Sequence, residues 1–112
     1  MDSLSEVRPT VWTMFMLHGR LAAQAGRRDE LLALLSEVGA HEPMPGCRLY
    51  LVAIEESDPD GVWVTEVWES EEAHRASLEL DRVKQQIARA RPLLDPTGFR
   101  RQQLDARAGV PD

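Results

Sequence analysis

Ser57-Asp58-Pro59-Asp60-Gly61 followed by Val62-Trp63-Val64-Thr65-Glu66-Val67-Trp68 and then Glu69-Ser70-Glu71-Glu72 sets a turn, a strand and a helix start in succession. Pro59 presets φ, the aspartates cap locally and Gly61 supplies conformational freedom, so residues 57–61 make a hairpin-type turn. Residues 62–68 are rich in β-branched and aromatic side chains and read as a strand. Ser70 is a helix N-cap, and Glu71 and Glu72 fall at the positive end of the helix dipole. Upstream, Cys47–Ile54 (CRLYLVAI) is a second apolar run. Two such runs across a short turn predict an antiparallel pair.

Working outward, Val11–Leu17 (VWTMFML) is bulky and apolar on both faces, as in a buried strand, and continues to Ala22. Alternation places Leu17, Gly19 and Leu21 on one face and Met16, His18 and Arg20 on the other. Leu31, Leu32, Leu34, Leu35 and Val38 recur at helical spacing and predict a helix over 27–38, with Gly39 at its C′ position. Pro43-Met44-Pro45-Gly46 is a loop. A short helix is expected over 71–77. Leu80, Val83, Ile87, Ala90 and Leu94 form an apolar stripe on a further helix that Pro92 ends near Arg91. Phe99–Ala106 is a final strand whose charged positions suit a sheet edge. Residues 1–9 and 107–112 read as tails, leaving 10–106 as one domain.

The 112-residue chain carries a net charge of −6. Leu49–Ala73 contains no Lys or Arg but eight acidic residues, from Glu55 to Glu72. Such a surface disfavours nucleic acid and anionic membrane as partners. Lys84 is the only lysine among 13 basic residues, a bias typical of GC-rich bacterial coding. One cysteine, Cys47, precludes an intrachain disulfide. With no apolar h-region at the start and no spanning segment, the cytoplasm is the expected compartment. No dinucleotide fingerprint and no metal-spaced cluster stand in the sequence, so neither cofactor nor metal is expected.

The element order β-α-β-β-α-β, with right-handed crossovers, predicts an α+β, ferredoxin-like antiparallel sheet with its helices on one face. The other face then carries apolar side chains from among Met14, Met16, Val52, Ile54, Trp63 and Val67. A patch of that size is hidden from water by a second copy of the chain. A homodimer, sheet against sheet, is expected.

Gly46-Cys47-Arg48-Leu49-Tyr50, Glu66-Val67-Trp68-Glu69-Ser70-Glu71-Glu72-Ala73, His74 and Ser77 resemble the antibiotic biosynthesis monooxygenase family, over about Met14 to Leu104. The resemblance implies a dimeric α/β barrel of paired ferredoxin-like subunits. It also implies oxidation of a small aromatic substrate, a quinol or anthrone, by O₂ with neither metal nor flavin, although many relatives have no assigned substrate. Triplet dioxygen reacts poorly with closed-shell organics, but an electron-rich phenolate can pass it an electron directly. The protein then needs a dry apolar pocket, a base or acid near the ring oxygen, and donors to hold the anion.

Glu66 and Trp68 share a strand face, where Trp68 can form a flat wall and Glu66 a buried polar group. The resemblance makes His74, on the short helix beyond, a pocket residue. Gly19 leaves space above the sheet beside Leu17. His74 and Glu66 are therefore the catalytic candidates, and Trp68, Gly19 and Leu17 the substrate-binding ones. Plainer roles stand beside these: Trp68 as core, Glu66 paired with Arg20 or Arg75, His74 exposed, His18 at the dimer face or in solvent, His41 in a loop, Cys47 as a small core residue, and Tyr50 at the subunit interface. Two other functions fit the same fold. One is a non-catalytic ligand-binding dimer. The other is haem degradation, which is disfavoured because Gly19 stands where such relatives carry a strand asparagine, and no histidine follows His74.

Overall fold

Phe15 lies opposite Trp68, Leu17 opposite Glu66, Gly19 opposite Val64 and Leu21 opposite Val62 in the central antiparallel pair of the sheet. This register stacks the apolar alternation of two strands on one face, which the helices cover. The computed structural model describes residues 13–40 and 44–109. In chain order the elements are β1 (Met14–Ala22), α1 (Arg28–Ala40), β2 (Cys47–Ala53), β3 (Gly61–Trp68), α2 (Glu71–Ser77), α3 (Asp81–Ala90), two 3₁₀ turns (Arg91–Leu93 and Pro96–Gly98) and β4 (Arg100–Ala106). All strand neighbours are antiparallel, in the order β2-β3-β1-β4. This is the expected ferredoxin-like arrangement. The expected tail 1–9, the strand start at Val11, His41 and the last three residues lie outside the described residues. Among the described residues no helix is long and apolar enough to cross a membrane.

The helix-covered face holds two apolar clusters rather than one. Leu31, Leu34 and Leu35 of α1 pack with Val62, Ala23, Ala90 and Leu93. Phe15, Leu17, Met44, Trp68 and Val83 form the second, flanked by Cys47, Tyr50, Ala73 and Leu80. Trp68 is 1% exposed.

Several expectations need correcting. Gly39 lies inside α1, which runs on to Ala40, rather than capping it. Ile87 is 39% exposed and drops out of the expected stripe, whose Val83 and Ala90 are buried and whose Leu80 and Leu94 pack against the clusters. Val52 pairs with Val64 and packs against the first cluster, on the helix side. Ile54 falls beyond the end of β2 and is exposed. Met14, Met16, Trp63 and Val67 do share the helix-free face, by the alternation of β1 and β3. There His18 places Nδ1 2.9 Å from Thr65 Oγ1 and stacks on Trp63.

The correction that matters for function concerns Tyr50. Strict alternation puts it opposite Cys47 and away from the helices. A bulge between Cys47 and Leu49 resets the register, so Cys47 faces Trp68 and Tyr50 faces Glu66. One extra residue re-aims every side chain beyond it. Tyr50 therefore points under the helices, not toward a subunit interface.

Candidate functional site

A cleft of about 150 Å³ opens between the two clusters on the helix-covered face. Leu17, Leu21, Val64 and Leu35 give its apolar walls, with Gly19 in its floor. Tyr50, Glu66, His74 and Arg101 bring polar atoms to it, and Phe99 stands at its edge. A volume of this order accommodates one benzene-sized ring.

Each side chain is placed by a local cause. Glu66 and Trp68 are two apart on β3 and so share a face. The Trp68 indole Nε1–H donates to Glu66 Oε1 at 3.0 Å, which fixes the carboxyl against the cleft wall. Past Trp68 the chain leaves the sheet, and Ser70 caps α2 by accepting from the Ala73 N–H at 3.0 Å. Gly46 has φ +81°, and a β-carbon there would come 2.7 Å from the Ala73 methyl, so the loop before β2 packs directly on α2. These two fixtures hold α2 so that His74, in its first turns, lies edge-on to Trp68 with ring centroids 5.3 Å apart. The same ring lies 5.6 Å from Phe15.

Gly19 has a second purpose besides its place in the cleft floor. A β-carbon there would meet the Arg100 carbonyl oxygen at 2.4 Å and the Arg101 Cα at 3.2 Å. The glycine lets the start of β4 close tightly onto β1, and the pairing of Gly19 with Arg101 turns that arginine to the helix side of the sheet. Arg20 clamps the same region from the other face. It donates from Nε and Nη2 to both Asp58 carboxylate oxygens, at 2.8 and 2.9 Å, and from Nη1 to the Gly98 carbonyl at 3.0 Å.

Burial pushes the Glu66 carboxyl above the ordinary carboxylate value, against the downward pull of the indole hydrogen bond and of Arg101. Burial also pushes the Tyr50 phenol up, helped by the nearby Glu66 charge. His74 is held below the usual imidazole value, first by burial and then by the Arg101 charge. At neutral pH the cleft thus presents a neutral imidazole, a phenol that stays protonated, and a carboxyl whose proton is held more tightly than usual.

Of the expected site residues, Leu17, Gly19, Glu66 and His74 line the cleft together. Trp68 stands behind them, touching both Glu66 and His74. Glu66 pairs with neither Arg20 nor Arg75, which bond Asp58 and Glu71 instead. Tyr50, Phe99 and Arg101 were missed. The bulge hid Tyr50, and nothing in Arg100-Arg101-Gln102-Gln103 separates an inward arginine from an outward one until the pairing with Gly19 is known. Among the described residues, no group of three or more His, Cys, Asp or Glu side chains is placed to hold a metal ion.

A ferredoxin-like sheet with a cleft kept between helices and strands defines a class of small α+β proteins. Within it, the family model for antibiotic biosynthesis monooxygenases matches residues 14–89, and the chain belongs to that family. A crystal structure from Chloroflexus aurantiacus J-10-fl that bears the same family name is 40% identical. It superposes with a TM-score of 0.79 and covers 88% of this chain and 97% of its own. Another bearing that name, from Deinococcus radiodurans, is 29% identical with a TM-score of 0.71, covering 88% and 98%. A Pseudomonas aeruginosa structure at 19% identity and TM-score 0.75, covering 88% and 98%, shares the fold. No curated protein matches the chain.

Proposed function

We propose that the chain is a monooxygenase that oxidises a phenolic aromatic, of quinol or anthrone type, with O₂ and without metal or flavin. The observation that supports this best is the pairing of Glu66 and His74 around Trp68 at the wall of an apolar cleft. One ring fills the open cleft, and further rings extend past the half-exposed Phe99.

His74, neutral at working pH, takes the proton from the substrate's acidic C–H or O–H. Arg101 steadies the resulting anion, and the apolar walls keep water from it. The anion passes one electron to O₂, and the radical pair combines into a peroxide on carbon. A proton delivered through Glu66 to the outer peroxide oxygen lets the O–O bond break. That oxygen leaves as water while the carbon loses its second hydrogen as a proton and becomes a carbonyl. For an anthrone, CH₂ plus O₂ yields C=O plus H₂O, and the carbon supplies all four electrons. The substrate does the work that a cofactor does elsewhere.

The same reading includes a homodimer. Leu51 and Leu104 are 53% and 41% exposed on the helix-free face, beside Met14, Met16 and Trp63. A second copy of the chain covers that face and leaves each cleft on the outside of the sheet pair.

Oxygen uptake with a panel of hydroquinones and anthrones tests the reaction. Uptake above the uncatalysed rate is expected, falling about 10²-fold or more in His74→Ala. Tight binding of the same compounds with no uptake would establish a binding module in place of the enzyme.

A further inference from the structure

Among the described residues, no side-chain hydrogen bond or ion pair that would explain its position holds Arg101. It reaches the cleft from the edge strand β4, and it is the one Lys or Arg among the described residues lining the cleft. Glu66 accepts its hydrogen bond from the Trp68 indole and feels Arg101 only through space, as His74 does. The guanidinium therefore stands beside two titratable groups without being consumed by either. Its placement also costs the chain a side chain, because β4 closes this near only where β1 carries Gly19. The chain as a whole, at net charge −6, repels anions, so this cation is a local exception and not part of a general basic surface.

We infer that the cleft selects an aromatic ring that already carries an ionised oxygen, a carboxylate or an acidic phenolate, seated against Arg101 with Glu66 as its second partner. A carboxylate matches the planar fork of a guanidinium, and the exposed Arg101 stands at the open side of the cleft, where an anion can reach it with its ring against the apolar walls. Glu66 fits the same role. An anion beside it makes its neutral form more favourable, and the neutral carboxyl can donate to the ligand. Binding of the anion is then coupled to proton uptake at Glu66. The inference rests on the cleft being the substrate site, but it concerns recognition, and its test does not depend on turnover.

Calorimetric titration with 4-nitrobenzoate and its uncharged counterpart 4-nitrobenzamide separates charge from shape. In a parallel arm, 4-nitrophenolate set against nitrobenzene tells a phenolate site from a carboxylate site. At least one anion is expected to bind about tenfold more tightly than its neutral partner. Arg101→Gln is expected to abolish that preference while leaving the affinity for the neutral ring within about twofold. Glu66→Gln, which keeps a donor and removes the charge, is expected to bind the anion at least as tightly as the native chain and without proton uptake. Equal binding of anion and neutral ring, a preference that survives Arg101→Gln, or no binding of any of the four at millimolar concentration would overturn the inference. An absence of oxygen uptake alongside charge-selective binding would instead overturn the proposed reaction and leave the inference standing.

Discussion

Trp68 holds Glu66 by an indole N–H to carboxylate hydrogen bond of 3.0 Å along a single strand face. The bond opposes burial, which by itself favours the protonated carboxyl. Trp68→Phe keeps a flat apolar wall and removes only the donor. The Glu66 pKa should then rise further, read from the carboxyl carbon shift in an NMR titration. Stability should fall by about 1–3 kcal/mol, since a partly buried acceptor loses its partner. Trp68→Ala should cost about 3–5 kcal/mol, because it empties a fully buried site as well.

Glu66 also makes stability depend on pH, in a direction opposite to that of most carboxylates. Its folded pKa lies above the unfolded value, so between the two the native state binds more protons than the unfolded chain. Stability therefore declines as pH rises through that window and stays lower above it. Glu66→Gln, which can still accept from the Trp68 indole, should raise the melting temperature at pH 7. The gain should shrink as pH falls below the ordinary carboxylate range. A melting temperature that drops in the variant at pH 7 would show that Glu66 is held by a charged partner instead.

Gly19 marks where strand packing and the cleft meet. Its missing β-carbon leaves room for backbone atoms of Arg100 and Arg101, which cannot swing aside as a flexible side chain can. Gly19→Ala should destabilise by about 1–3 kcal/mol in chemical denaturation. It should also weaken the binding of anionic rings, since β4 must shift and carry Arg101 with it.

The imidazole of His74 is neutral down to a lower pH than usual, first because it is partly buried and then because Arg101 lies near. If His74 is the base, oxygen uptake should hold below pH 6.5 and fail only as the ring gains its proton. Arg101→Gln removes one of these causes and leaves burial and the weaker Arg75 charge. The acid limb of the rate profile should then move upward in pH, toward the ordinary imidazole value. An unchanged limb would place the base elsewhere in the cleft.

Most of this architecture was written in local signals. The turn at 57–61, the β-branched run of β3 and the Ser70 cap each act through their own neighbours, so β3 and α2 fall where the sequence places them. Glu66, Trp68 and His74 follow from these two elements, which is why their grouping was legible. Tyr50 and Arg101 were not, because their facing depends on partners distant in sequence. A bulge with no strong residue signature turned Tyr50 inward, and the β1–β4 register, fixed by a close backbone approach at Gly19, turned Arg101 inward. The second role of Gly19 was hidden for the same cause: which strand closes on a glycine is decided by the tertiary fold.

The helix-free face gives the last prediction. Its exposed leucines lie on opposite edge strands, Leu51 on β2 and Leu104 on β4, so they flank the sheet rather than share one spot. Neither supports the clusters under the helices. A charge at either position should be tolerated by the isolated fold but not by a sheet pressed against a second sheet, where an unpaired carboxylate loses its water. Leu51→Glu combined with Leu104→Glu should therefore turn a dimer into a folded monomer in sedimentation velocity at micromolar concentration, with circular dichroism unchanged. Because His18 stacks on Trp63 in the middle of the same face, the indole environment of Trp63 should become more polar in that variant. A native chain that already sediments as a monomer would remove the sheet-to-sheet dimer, while leaving the cleft on the other face as it stands.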